Sequence, residues 1–246
     1  MKIAVCLSGQ IRSMADFLSN FHDSVLEPYG CDLYGYVDSS DMNLDIRNLD
    51  IIKMFNRIEF SNEQLDIYDP IAAVNPDAED VLQVGYKIKK NLRQRYLRQL
   101  KGIQTAFDLI DRDYDIVVRS RFDVIYHKFD LSDFEPGYIF VPTHDGWHGF
   151  CDRLFYGDYK TMKIATHVYD NLTELYTTYQ HPIVHPETNF ALNLHHHKVN
   201  VKKSECKIDL FRYGQVWHHD DKENIESVFS TNKIDLININ FHQKFI

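Results

Sequence analysis

The chain has 246 residues, and its 27 Lys and Arg against 36 Asp and Glu give a formal net charge of −9. That balance argues against a nucleic-acid surface, which is built on basic side chains, and a composition 44% hydrophobic and 26% charged argues against disorder. The four cysteines, Cys6, Cys31, Cys151 and Cys206, form no Cys-x-x-Cys pair, which excludes a zinc ribbon or a dithiol redox motif.

The apolar run Ile3 to Leu7 has the pattern of a strand buried on both faces. Ser8-Gly9-Gln10 breaks it. Phe17, Leu18, Phe21 and Val25 then recur at helical spacing, and Pro28 is expected to stop that helix. Asp32 to Val37 predicts a second strand ending at Asp38. A short helix over Leu44 to Met54 and a third strand over Arg57 to Phe60 follow. Residues 61 to 85 are polar and lack a clear period.

The strongest helix signal lies over residues 89 to 110, where Tyr96, Leu100, Ile103, Phe107 and Ile110 form an apolar stripe. Its opposite face carries Arg93, Arg95, Arg98 and Lys101. Strands are predicted over Asp115 to Val118, Tyr138 to Val141 and Arg153 to Tyr156. Asp158 is placed to cap one long helix striped by Met162, Ala165, Val168, Leu172, Leu175 and Tyr179. Pro186 suits the first turn of a helix running to about His197. Short strands and loops alternate beyond it. This order predicts an α/β fold with a mostly parallel central sheet and helices on both faces. No apolar run approaches the ~20 residues of a membrane span. A protein without a membrane span, in a reducing, cytoplasmic compartment, is expected.

In such sheets ligands bind beyond the carboxyl ends of the strands. Ser8-Gly9-Gln10-Ile11-Arg12 is a strand end that suits an anion, and it also fits an ordinary strand-to-helix turn. In Arg119-Ser120-Arg121-Phe122-Asp123, extended chain puts residues 119, 121 and 123 on one face. Two guanidiniums there suit phosphate oxygens, and Asp123 suits a divalent cation; an internal ion pair is the other reading. Asp152 precedes a strand, and Glu187 sits in a first helical turn, where a capping role competes with that of a general base. The loop His144 to Phe150, with Trp147, suits a sugar ring or plain solvent. His195-His196-His197 is contiguous, so the three rings point apart and cannot share one metal. His218-His219-Asp220-Asp221 has no fixed ligand spacing.

Four segments in order carry a resemblance: Ile3 to Arg12, Tyr114 to Asp123, Asp152 to Asp158, and Pro186-Glu187-Thr188. Together they resemble a GT-A-type glycosyltransferase-like family of bacterial surface-polysaccharide clusters and large DNA viruses. The likeness spans roughly residues 1 to 200 and implies a single GT-A-like, Rossmann-like domain over residues 1–246. Residues 1–125 would form its nucleotide-sugar-binding half and 126–246 its acceptor-binding half. The resemblance implies a nucleotide-sugar donor held by Ser8, Gly9, Arg12, Asp38, Arg95, Arg119, Arg121 and Asp123, with a glycan or other hydroxyl acceptor.

The family's Asp-x-Asp metal motif is not present in strict form, because its first acidic position is Arg121. Either Asp123 alone holds Mn²⁺ or Mg²⁺, or Arg119 and Arg121 neutralise the diphosphate without metal. For an inverting reaction Asp152 and Glu187 are the candidate bases, Asp152 preferred because it precedes a strand. A non-catalytic nucleotide- or carbohydrate-binding module of the same fold is the alternative. A nucleotidyltransferase ranks last, because the N-terminal loop lacks a Gly-rich, Lys-containing pattern.

Overall fold

The computed structural model describes residues 1–11, 14, 18–39, 50–61, 68–74, 79–80, 92–143, 149–179, 183–212 and 215–217. Strands β1 (Ile3–Gly9), β2 (Asp32–Asp38), β3 (Arg57–Ser61), β5 (Ile116–Arg121), β7 (Tyr138–Val141), β8 (Phe155–Gly157) and β10 (Asn200–Lys203) form one seven-stranded sheet. Its order is β10-β7-β8-β5-β1-β2-β3. β1 runs parallel to both β2 and β5, and β2 to β3. β8 alone is antiparallel to its neighbours, β5 and β7. The fold is thus α/β with a mostly parallel central sheet, as the sequence predicts.

Period-two alternation divides the core between the two faces of this sheet. On one face Ala4, Cys6, Tyr34 and Val117 pack under helices α4 (Leu92–Asp108), α5 (Tyr159–Thr166), α6 (Val168–Tyr179) and α7 (Pro186–His196). On the other face Ile3, Val5, Leu7, Leu33 and Val118 meet Phe21 and Val25. A smaller antiparallel sheet, β12-β11-β6, covers the same side. It comprises β6 (Val124–Lys128), β11 (Lys207–Arg212) and β12 (Gln215–Trp217), and Tyr126, Ile208 and Leu210 join that core. Two short strands, β4 (Glu79–Asp80) and β9 (Ile183–Val184), pair in parallel, and α3 (Pro70–Val74) adds Ile71 to the first core.

Some boundaries differ from the sequence reading. Pro28 does not stop the first helix. Segment α1 (Leu18–Phe21) passes through a π-helical turn (His22–Leu26) into α2 (Glu27–Tyr29), so Pro28 lies within it. Pro28 directly follows the π-helical turn, where the regular α-helical hydrogen-bond ladder is already interrupted. Gly30, at φ 55°, ends the helix in the left-handed region. The long helix after Asp158 is two helices, α5 and α6, divided at His167. Asp158 does cap the first of them, accepting the Thr161 N–H at 2.8 Å. The strand expected from Arg153 begins at Phe155. Cys31 is half-buried just before β2, whereas Cys6 lies inside the sheet, and all four cysteines are free. Among the described residues no helix is long and apolar enough to cross a membrane.

Candidate active site

The sheet has a topological switch point between β1 and β5. From β1 the order runs outward through β2 and β3; from β5 it runs the other way through β8 and β7. The helices therefore diverge above the carboxyl ends of this central pair, where an open sheet offers its crevice. Register places Ser8 of β1 between Tyr36 and Arg121, and Cys6 between Tyr34 and Arg119. Since Cys6 and Val117 face the α4 side, Ser8, Arg119 and Arg121 face it too. Gly9, at φ 125°, lets β1 turn away immediately above them.

β5 runs to Arg121, so both arginines belong to the strand instead of following it. Arg119 is 1% exposed, and its Nε and both terminal nitrogens have no hydrogen-bond partner among the described residues. Burial lowers its pKa to about 10 against the pull of the Asp152 carboxylate, so the guanidinium remains protonated at neutral pH. A buried cation without hydrogen bonds is costly, and an anionic ligand is one means of satisfying it.

Arg121 is differently placed. After β5 the chain turns at Phe122 and Asp123 and leaves for the small sheet as β6. Phe122 goes into the core on one side, and Asp123 folds back to Arg121. The pair is bidentate, with Nε to Oδ1 at 2.6 Å and Nη2 to Oδ2 at 2.8 Å. Burial works against the Arg121 charge, but Asp123, Asp152 and Glu187 more than offset it and raise its pKa. A divalent cation at Asp123 would compete with this fork for both carboxylate oxygens, beside a second guanidinium. The residues present therefore do not suit a metal at Asp123.

Two segments close the site from the α7 side. α7 is buried from Pro186 through Leu194, so its polar residues must find partners inside. Asn189 accepts a hydrogen bond from the Tyr176 hydroxyl at 3.1 Å, and Asn193 donates to the Ile164 carbonyl at 2.7 Å. Phe190 packs on Phe155 of β8 with ring centroids 4.5 Å apart. This fixes the first turn of α7, where Glu187 is 9% exposed. Gly149 lies so close that a Cβ there would fall 2.0 Å from the Glu187 carbonyl oxygen. The Phe150 N–H donates to that carbonyl at 3.3 Å. This contact delivers Asp152, 2% exposed, and Arg153, 9% exposed, to the same site.

Gln99 of α4 donates to the Asp152 carboxylate. Burial, and then repulsion from Asp152, push the Glu187 carboxyl well above the ordinary range, with Arg153 and Arg121 opposing. The site thus combines three guanidiniums, two neighbouring carboxyl groups and a helix N-terminus.

Of the residues singled out from sequence, Ser8, Arg119, Arg121, Asp123, Asp152 and Glu187 come together here. Asp38 ends β2 on the same face, two strand spacings or about 10 Å from β5. Arg95 is exposed, one helical turn before Gln99, at the rim. Arg12, the segment His144 to His148 and the group His218 to Asp221 lie outside the described residues. His195, His196 and His197 do not converge: His196 pairs with Glu174 at 3.0 Å and His197 meets Asn171 at 3.2 Å. Sequence reasoning left Gln99, Arg153 and His185 without a role. Arg153 lies within the segment Asp152 to Asp158 and His185 directly precedes Pro186-Glu187-Thr188, whereas Gln99 had no signal beyond its position on a polar helix face.

Fold and site together define an α/β domain with a buried cluster of arginines and carboxyl groups at a strand-end switch point. The chain belongs to the family described as Domain of unknown function (DUF7796), whose sequence model matches residues 1–211. That span contains Ser8, Arg119, Arg121, Asp123, Asp152 and Glu187. No curated protein matches the chain.

Proposed function

We propose that the protein is a glycosyltransferase that moves a sugar from a nucleoside-diphosphate sugar to a hydroxyl acceptor. The observation that carries this reading is Arg119, a buried guanidinium without a hydrogen-bond partner among the described residues, at the switch-point crevice of a parallel sheet. A phosphate oxygen pair satisfies its fork, with Ser8 and the turn at Gly9 on the adjacent strand end. The nucleotide lies over β1 and β2 towards Asp38, and the acceptor enters from the α7 side. A cytoplasmic setting, where nucleotide sugars are available to free-thiol proteins, fits the four free cysteines.

In the reaction the acceptor oxygen bonds to the anomeric carbon as the bond from that carbon to the phosphate oxygen breaks. Negative charge grows on the departing diphosphate. Arg119 and Arg121 are fixed before the reaction begins, so they stabilise that charge without reorganising. We propose that they do so without a divalent cation, since Asp123 is engaged by Arg121. The acceptor proton passes to a carboxylate, and Asp152 and Glu187 both stand at the site. Burial and the neighbouring Asp152 raise the proton affinity of Glu187 above that of an ordinary carboxylate, which favours it as the base.

A second reading, a binding module of the same fold, is favoured by the pairing of Asp123 with Arg121 and of Asp152 with Gln99. Slow donor hydrolysis separates the two. A transferase releases nucleoside diphosphate from its bound donor over hours, and a Glu187→Gln, Asp152→Asn variant does not. A donor that binds but stays intact with the wild-type chain decides for the module.

A further inference from the structure

His185 immediately precedes α7 in the N-cap position, with extended φ −145° and ψ 129°. An N-cap side chain ordinarily bonds the free N–H groups of the first turn. The His185 side chain makes no such capping bond. Its Nδ1 instead lies 3.3 Å from Oε2 of Glu187 and 3.4 Å from the Thr188 hydroxyl. Its ring meets Tyr96 of α4 edge-on, with centroids 6.2 Å apart. Both side chains of the pair are largely enclosed, 13% exposed for His185 and 12% for Glu187. Around Glu187 stand Asp152 and Arg153 from the segment before β8 and Arg121 from β5; around His185 stand Tyr96 and Thr188.

We propose that His185 is the positioning residue of this site: it orients the Glu187 carboxyl group and shares one proton with it, so that this pair, and not Asp152, takes the acceptor hydroxyl's proton. The last part rests on the sugar-transfer reading; the shared proton does not. Asp152 is tied to Gln99 and enclosed beside Arg119, and the carboxyl group it faces is that of Glu187 itself. Glu187 has a further titratable neighbour in His185. In the transfer step the pair begins as carboxylate and neutral imidazole. The acceptor proton lodges between Oε2 and Nδ1 as the glycosidic bond forms, and it leaves to solvent through the imidazole after nucleoside diphosphate departs.

The test is an NMR titration of the histidine rings in the full chain, with His185 assigned by the signal that His185→Gln removes. In the Glu187→Gln variant the His185 midpoint falls by about one pH unit, because its anionic partner is gone. An unchanged midpoint overturns the shared proton. Where a nucleotide sugar is turned over, His185→Gln lowers kcat roughly a hundredfold and leaves donor affinity as it was. Loss of turnover in Asp152→Asn, with turnover retained in His185→Gln and Glu187→Gln, overturns the assignment of the base. A coupled titration in a chain that binds no nucleotide sugar removes the transfer reading and leaves the pair standing.

Discussion

Arg121 holds both carboxylate oxygens of Asp123, two residues further along the chain, through a fork whose bonds measure 2.6 and 2.8 Å. The side chains are 16% and 8% exposed, so the ion pair is largely out of water. Breaking a buried pair leaves one charge uncompensated, which costs about 3–5 kcal/mol. Asp123→Ala is expected to lose that much stability in urea denaturation. The double variant Arg121→Met, Asp123→Leu is expected to recover most of it, since neither charge remains.

Arg119 predicts the opposite sign. Its guanidinium is buried without hydrogen bonds among the described residues, so the unliganded protein bears its desolvation cost. Arg119→Met keeps most of the volume and removes the charge. Unfolding of the unliganded variant is expected to require about 1–3 kcal/mol more than wild type, while donor binding is lost. A variant less stable than wild type would mean that Arg119 supports the fold and does not wait for a ligand.

Gly149 tests how the site is assembled. A Cβ at that position meets the Glu187 carbonyl oxygen at 2.0 Å and its carbonyl carbon at 2.3 Å, both backbone atoms. Neither can move aside as a flexible side chain would. Gly149→Ala is expected to cost about 1–3 kcal/mol and to separate Asp152 from Glu187. The variant's stability and its donor hydrolysis should fall together.

Asp130 supplies a pH test away from the site. Its carboxylate accepts hydrogen bonds from Ser132, at 3.0 Å to the backbone N–H, and pairs with Lys128 at 3.2 Å. The Ser132 bonds and then Lys128 hold its pKa down to about 2. A depressed folded-state pKa adds stability above the unfolded value, near 4, and that stability is lost as the pH falls towards about 2. Asp130→Asn should therefore differ from wild type at neutral pH, and the difference should shrink through that window. A difference independent of pH would locate its origin in the hydrogen bonds alone.

Much of the sheet was legible because β1, β2, β3, β5 and β7 carry apolar runs or alternation that only strands satisfy. Helix α4 was legible from the spacing of Leu100, Ile103 and Phe107, all buried. The break at His167 was not, because the apolar stripe from Met162 to Leu175 continues on both sides of it, and both helices pack on the same core. The burial of α7 was also hidden. Its Asn189 and Asn193 are polar and carry no local sign of burial, and only the three-dimensional partners, Tyr176 and Ile164, show how they are satisfied.

At the site, strand-end position drew attention to Ser8, Arg119, Arg121, Asp123 and Asp152. An internal ion pair was one of the two readings open there, and the structure shows it between Arg121 and Asp123; the sequence did not decide between them, because whether Asp123 turns back on Arg121 depends on the turn into β6. Gln99 meets Asp152 across 53 residues of chain, a separation that leaves no local signature. His185 meets Glu187 only two residues away, and that spacing is the same as in ordinary helix capping.

The proposed function places a nucleotide sugar on the arginines at the carboxyl ends of β1 and β5. Titration calorimetry with UDP-, GDP-, dTDP- and CMP-sugars, in EDTA, tests it most directly, with wild type and Arg119→Met side by side. One of these donors is expected to bind the wild type in EDTA, and the folded Arg119→Met variant is expected not to bind it. Absence of binding by every donor, in EDTA and in added Mn²⁺ alike, would contradict the proposed function.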